Sequence, residues 1–288
     1  MKINNITTEN VKYLSKIFSS SLIKSSIKQD NFSQIKSIIS ESGFDYLLTN
    51  NKMVDVYTEV FNLLAKYHRN EYIYKSAIIE QILLGNHDLE SIILSEFNVD
   101  NCKADIAIYN GTSTVYEIKT ELDTFDRLER QLSAYSKAFD RIYVITPETH
   151  VKKLIDLVDD FIGILVLDSN NIIKEFRKAK SNIHNLDSSI LYDLLRRNEV
   201  LRIIEMEYGT IIDVPNTKIY SVSKEIFSKI PTEKAHEYVV KVLKKRGAKT
   251  KDFLLKVPSS FHSFAINSNF SKKEQSNFLN FLNSSIIK

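Results

Sequence analysis

KADIAIYNGTSTVYEIK, residues 103–119, is the stretch where the period of the chain changes from helical to strand-like. Ala104 to Tyr109 and Val115 to Lys119 are rich in β-branched and aromatic residues, and Asn110-Gly111 between them is a strong turn signal. The pattern predicts an antiparallel hairpin. Alternation along its second strand puts Glu117 and Lys119 on one face and Ile118 on the other, where it enters the core. Across a hairpin, paired residue numbers sum to a constant, and only an even constant brings Asp105 to the face of Glu117. A two-residue turn at Asn110-Gly111 gives an odd constant, so a common face requires a three- or five-residue loop, or a bulge.

Outward from the hairpin the helical period returns. Leu122, Phe125, Leu128, Leu132, Tyr135 and Phe139 share one side of a predicted helix, with Asp123 and Asp126 marking its start. Arg141 to Thr146 reads as the next strand, so the segment has the form of a crossover with its helix on the sheet. Val151 to Asp159 reads as helix, Ile162 to Asp168 as a buried strand, and Ile172 to Arg177 as its partner across Ser169-Asn170-Asn171. Upstream, Asn70 to Leu84 reads as a helix ended by Gly85, and Leu89 to Phe97 leads into the first strand. These elements define an α/β core over residues 69–180, with a central mixed sheet and flanking helices.

The flanks are helical. In residues 1–68, Val11, Leu14, Ile17, Phe18 and Leu22 recur at helical spacing. In residues 181–288, Ser188 to Tyr208 and Thr232 to Arg246 are amphipathic, with Gly209 and Gly247 as expected ends. The tail from Pro258 carries Phe261, Phe264, Phe270, Phe278 and Phe281, which suit packing through scattered aromatics rather than a domain of its own.

At 288 residues and 43% apolar content, the chain has ample material for a buried core. A single cysteine, Cys102, excludes an internal disulfide framework and a cysteine-rich zinc site, and fits a reducing, cytoplasmic setting. The N-terminus shows no secretory apolar run, and the longest apolar run, Phe161 to Leu167, is far too short to cross a bilayer. The expectation is a soluble protein with no membrane partner. A formal charge of +3 identifies no partner. The densest basic cluster runs from Lys241 to Lys256; it suits a helix C-terminus, with phosphate binding as the alternative.

Two converging carboxylates relieve their repulsion by taking up a hard divalent cation such as Mg²⁺. Asp105 and Glu117 would be its ligands, the carbonyl of Ile118 could add an oxygen, and Lys119 would stand beside it. Such a centre suits phosphodiester hydrolysis, because the metal activates a water while the lysine orients it and stabilises developing charge. The plain alternative is a solvated strand face with a weak ion pair. On the next helix, Gln131 and Tyr135 are four apart and share a face, with Arg127 one turn earlier. They form an amide-bearing and basic stripe, unless Tyr135 is only core and Arg127 only a solvated charge. No phosphate-binding Gly-rich loop, paired histidine ligands or nucleophile motif competes with this reading.

Asp105, Glu117-Ile118-Lys119 and Gln131-Leu132-Ser133-Ala134-Tyr135, in this order, resemble the PD-(D/E)XK nuclease superfamily and the Gln-x-x-x-Tyr helix motif of its RecB-like branch. The resemblance spans roughly residues 70–247, with Ala104 in place of the motif's proline. It implies a restriction-endonuclease-like fold and a nuclease using Mg²⁺ or Mn²⁺, with DNA the expected substrate in defence, restriction or repair. Asp105 and Glu117 would hold the metal, Lys119 would be the catalytic lysine, and Gln131, Tyr135 and Arg127 would support site or substrate. An acidic residue from the preceding helix often joins such a site: Glu71 is the candidate, with Glu80 and Glu96 as rivals. A homodimer or protein partner through the helical regions fits the same picture. The alternative is a noncatalytic nucleic-acid-binding or regulatory module on the same fold.

Overall fold

The computed structural model describes residues 6–49, 51–85, 91–246 and 252–287, which fall into two units. The expected Gly247 cap, the strand lead-in from Leu89, and Lys249 and Lys251 of the basic cluster lie outside the described residues.

The unit of residues 81–251 is built on one six-stranded mixed sheet in sequence order. Its strands are β1 (Ile92–Val99), β2 (Cys102–Asn110), β3 (Thr112–Ile118), β4 (Arg141–Thr146), β5 (Gly163–Leu167) and β6 (Ile173–Arg177). The pairs β1–β2, β2–β3 and β5–β6 are antiparallel, whereas β3–β4 and β4–β5 are parallel. Parallel neighbours need a crossover, supplied by helix α6 (Leu128–Ser136) before β4 and α7 (Val151–Leu157) before β5. The expected α/β class and mixed sheet are therefore present. Ile106 stands opposite Tyr116, Tyr109 opposite Ser113 and Asn110 opposite Thr112, leaving a tight turn with Gly111 as its one unpaired residue. Gly111 sits at its tip with φ +69, a left-handed conformation that glycine adopts at little cost. The register constant is even, so the common-face condition for Asp105 and Glu117 is met.

One core cluster joins Ala107, Tyr109 and Val115 of the sheet to Leu128, Tyr135 and Phe139, and to the C-terminal helices. Those are α8 (Ser188–Asp193), α9 (Arg197–Tyr208), α10 (Asn216–Phe227) and α11 (Thr232–Leu243). In β5, an added Cβ at Gly163 would come within 2.3 Å of the Tyr143 ring, which lies 5.6 Å from Tyr116 in a stacked pair. A buried polar chain fixes α11 to the start of β3: His236 Nε2 and Ser113 Oγ share a 2.7 Å hydrogen bond, and Asp140 N–H donates to the same hydroxyl at 3.0 Å. Burial pushes the His236 imidazole below its ordinary 6.5, although Asp140 and Glu237 oppose this.

Three expected elements are corrected. The helix does not start at Asp123 but at Leu128; Asp123 Oδ2 instead accepts from Thr120 N–H at 2.8 Å and Thr120 Oγ1 at 2.7 Å. This local side-chain turn competes with helix and leaves Leu122 62% exposed. Ser188 to Tyr208 is two helices, α8 and α9, because Glu199 Oε2 accepts from Arg196 N–H at 2.6 Å and begins a second helix. Arg246 holds that break by donating to the Leu194 carbonyl at 3.1 Å and to both Glu199 oxygens. The basic cluster thus contributes a structural cation, as its position by a helix end suggests. Gly209 caps α9 at φ +64 as expected. The helix from Asn70 continues as α5 (Glu71–Ala77) and then takes π geometry over Ile78–Leu84.

The second unit joins residues 1–80 to residues 252–288, so the expected divisions near 68 and 180 do not follow the packing. The C-terminal helices α8 to α11 belong with the sheet, and the aromatic tail belongs with the N-terminal helices α1 (Thr8–Leu14), α2 (Ser20–Gln29), α3 (Ser33–Glu41) and α4 (Met53–Tyr67). The tail supplies α12 (His262–Asn267) and α13 (Lys272–Asn283). Tyr57 packs 4.7 Å from Phe261, which lies 5.1 Å from Phe278. Two backbone bonds complete the closure: Met53 N–H donates to Ser284 O at 2.9 Å, and Ile286 N–H to Asn51 O at 3.0 Å. Among the described residues, no helix is long and apolar enough to cross a membrane.

Two outcomes follow from this packing. Gly163→Ala should lower the denaturant-unfolding free energy by about 1–3 kcal/mol, because the added methyl meets the Tyr143 ring and the backbone N of Ala179. For His236, a folded pKa below the unfolded one gives stability that is fully present above the unfolded value and lost as pH falls towards the folded value. Between about pH 7.5 and about pH 5.5 the urea midpoint should fall, and His236→Gln, which cannot take up the proton, should flatten that dependence.

Candidate active site

The end of β3 carries the candidate residues. Glu117 and Lys119 project to one face and are almost fully enclosed, at 1% and 5% exposure, while Ile118 is buried on the opposite face. Strand β3 lies between antiparallel β2 and parallel β4, so its successive amides serve opposite neighbours. Lys119 N–H donates to Ile145 O of β4 at 2.9 Å, and Ile118 N–H donates to Asp105 Oδ2 at 2.7 Å. The Asp105 side chain thus takes an amide at the point where the β2–β3 ladder ends.

Helix α6 closes the site. Its stripe at four-residue spacing places Gln131 and Tyr135 over Glu117. Glu117 Oε1 accepts from Lys119 Nζ at 2.9 Å and from Gln131 Nε2 at 2.6 Å, while Oε2 accepts from Tyr135 OH at 2.8 Å. Lys119 Nζ also donates to Gln131 Oε1 at 2.9 Å. Carboxylate, ammonium, amide and phenol therefore form one closed network. The Tyr135 hydroxyl lies 3.1 Å from the Lys103 carbonyl as well, so its single proton has two acceptors within reach.

Burial pushes the Glu117 carboxyl above the usual carboxylate range, with the Lys119 ammonium and the donors on Lys119, Tyr135 and Gln131 pulling against it. Burial, with the neighbouring Glu117 charge, likewise holds the Tyr135 phenol above its usual range. Three of the roughly four lone-pair directions of the Glu117 carboxylate are in use, which leaves room for one further partner.

The sheet adds an acidic neighbour. Ser95 pairs with Ile106 and Phe97 with Ala104, which puts Glu96 opposite Asp105, and their carboxylate oxygens come within 4.8 Å of each other. Glu96 has φ +54, an uncommon backbone for a residue with a side chain, and Lys103 Nζ lies 3.5 Å from its carboxylate. Glu96 was the third of the acidic candidates in sequence. Nothing in its spacing distinguishes it, because the signal is a cross-strand register. Glu71 and Glu80 are residues of the other unit, and Glu71 pairs with Lys75 at 2.5 Å.

Glu117, Lys119, Gln131 and Tyr135 are thus joined in one network, Asp105 is tied to the same strand end through the Ile118 amide, and Ile118 lies between the Glu117 and Lys119 side chains. Arg127 is not part of the network: it is the exposed cap residue before α6. Asp105 and Glu96 offer carboxylate oxygens within 4.8 Å of each other, and such donors fit a hard divalent cation better than a soft one.

Protein cII of Enterobacteria phage P4 is 25% identical to this chain over 185 residues, covering 62% of this chain and 69% of the relative. A protein of unknown function from Silicibacter pomeroyi aligns structurally with 43% of this chain and 86% of its own length, at 18% identity and a TM-score of 0.27. That score is too low to bear on the fold. The family of bacteriophage P4 protein cII matches residues 65–269, which take in every strand of the sheet and helices α6 to α11. With that match extending over more than half of its length, the chain belongs to the bacteriophage P4 protein cII family.

Proposed function

We propose that this protein is a metal-dependent nuclease of the PD-(D/E)XK type, hydrolysing phosphodiester bonds in nucleic acid, with DNA as the expected substrate. The observation that carries the reading is the even register of the β2–β3 hairpin, which puts Asp105 on the face of Glu117 and Lys119. The closure of that face by Gln131 and Tyr135 supports it.

Asp105 and Glu117 would hold Mg²⁺ or Mn²⁺, with the Ile118 carbonyl as a further oxygen and Glu96 as the additional carboxylate. The bound ion would supply Lewis-acid activation of a water and of the phosphate. Lys119, fixed between Glu117 and Gln131, would orient that water and stabilise charge developing on the phosphate. Gln131 bonds to both Lys119 and Glu117 and so fixes their pair, and Tyr135 keeps the second carboxylate oxygen directed. Arg127, exposed at the start of α6, would contact the backbone phosphates. The working partner in this reading is cytoplasmic nucleic acid, with the helical regions available for a second copy or a protein partner.

The test is cleavage of linear, circular and single-stranded DNA and of RNA, each with Mg²⁺ or Mn²⁺. Lys119→Ala should reduce the cleavage rate by about 10²–10³-fold while substrate binding persists. Asp105→Ala should abolish cleavage. Binding by the wild type with no metal-dependent cleavage of any substrate would replace the nuclease by a noncatalytic binding module. Independently of turnover, saturating Mg²⁺ should raise the thermal midpoint of the wild type, because an ion that binds only the folded state stabilises it. The same addition should leave Asp105→Ala unmoved in differential scanning fluorimetry.

A further inference from the structure

Helix α6 has a second working side. Between α6, α7 and the turn that leads into β5 lies a cavity of about 640 Å³. Leu132 and Ile162 are among its apolar lining, and Leu157, 53% exposed, stands at its edge. Asp126, Glu129 and Asp159 bring three exposed carboxylates to it. Asp126 accepts from Thr124 Oγ1 at 2.8 Å, and none of the three stands in an ion pair among the described residues. The nearby cation, Lys153, instead has its Nζ over the Phe125 ring, 5.1 Å from the centroid.

A slot whose lining is about half apolar and half polar, with three exposed carboxylates against the single cation Lys153, selects by charge. It repels phosphate, so nucleic acid is excluded from it. A symmetric dimer through this face would set like charges against each other, because a two-fold interface places the same patch on both copies. A small polycation would satisfy the carboxylates and leave the apolar lining exposed. A helix with an apolar stripe flanked by lysine or arginine answers both features, and a slot walled by α6 and α7 presents the helical ridges and grooves against which another helix packs. We propose that this slot is a docking site for a cationic amphipathic helix of a partner protein, with its apolar side chains between α6 and α7 and its cations on Asp126, Glu129 and Asp159.

The proposal does not rest on the nuclease reading. It has a consequence for the site all the same, since Gln131 and Tyr135 stand on the helix whose Leu132 lines the slot, and an occupant bears on the element that encloses Glu117.

The experiment uses the full chain and a fluorescent synthetic peptide of about 14 residues, with leucine at helical i, i+3, i+4, i+7 spacing and lysine elsewhere. A peptide of the same composition with scrambled spacing controls for charge alone. Fluorescence anisotropy should show the amphipathic peptide binding at least about tenfold more tightly than the scrambled one. Glu129→Lys combined with Asp159→Lys, and separately Leu157→Asp, should each weaken binding by about tenfold with thermal midpoints preserved, since all three positions are exposed. Equal binding of the two peptides, or affinity unchanged in these variants, would overturn the proposal. Displacement of the peptide by spermine at a comparable concentration would overturn it in favour of a small-polycation site.

Discussion

A hairpin turn about the single unpaired residue Gly111 sets the face on which the candidate side chains of β2 and β3 appear. With Tyr109 opposite Ser113, Asp105 shares a face with Glu117; with the register shifted by one residue, the same sequence would send the two carboxylates to opposite sides. Gly111, at φ +69, makes the turn inexpensive, and the burial of Tyr109 and Val115 on one face and Ile108 and Tyr116 on the other resists a slip. The register also reaches further than the hairpin, because β4 is aligned on β3 and Glu96 on Asp105. The geometry of the candidate site and the packing of the core are two readings of one alignment.

Enclosing Glu117 is energetically demanding. A buried ion pair seldom adds stability over an apolar pair of the same volume, because desolvation offsets much of its Coulomb energy, while removal of one partner typically costs about 3–5 kcal/mol. Glu117 and Lys119 therefore act as a specifying element rather than a stabilising one. The amide of Gln131 touches both partners and the phenol of Tyr135 takes the remaining carboxylate oxygen, so α6 can seat in only one rotation about its axis. The cost is consistent with a site kept for its chemistry.

The hairpin, the shared face of Glu117 and Lys119, and the stripe of Gln131 and Tyr135 were legible in the sequence, because each depends on local periods of two or four residues. Other features depend on partners distant in sequence. Glu96 gains its place from a strand register and an unusual backbone angle, and Arg246 breaks the Ser188 to Tyr208 periodicity through an ion pair with a residue 47 positions away. The start of α6 was misread for a different reason: Asp123 is as good a residue for closing a local turn as for capping a helix, and Thr120 supplied the turn. The aromatic tail showed its need for a hydrophobic surface but not which one, since phenylalanine spacing carries no address.

The pairing of Met53 with Ser284 and of Ile286 with Asn51 has a consequence in time as well as in space. As the chain emerges from the ribosome, the sheet and its helices are all synthesised before the segment that completes the helical unit. Until α12 and α13 arrive, Tyr57 and Phe18 lack the Phe261 that packs against both of them. The N-terminal helices therefore wait in an incomplete, sticky state, while the sheet unit already has the residues of its own core. A product interrupted after α11 would keep the site and expose a hydrophobic handle, which chaperones and proteases are equipped to detect.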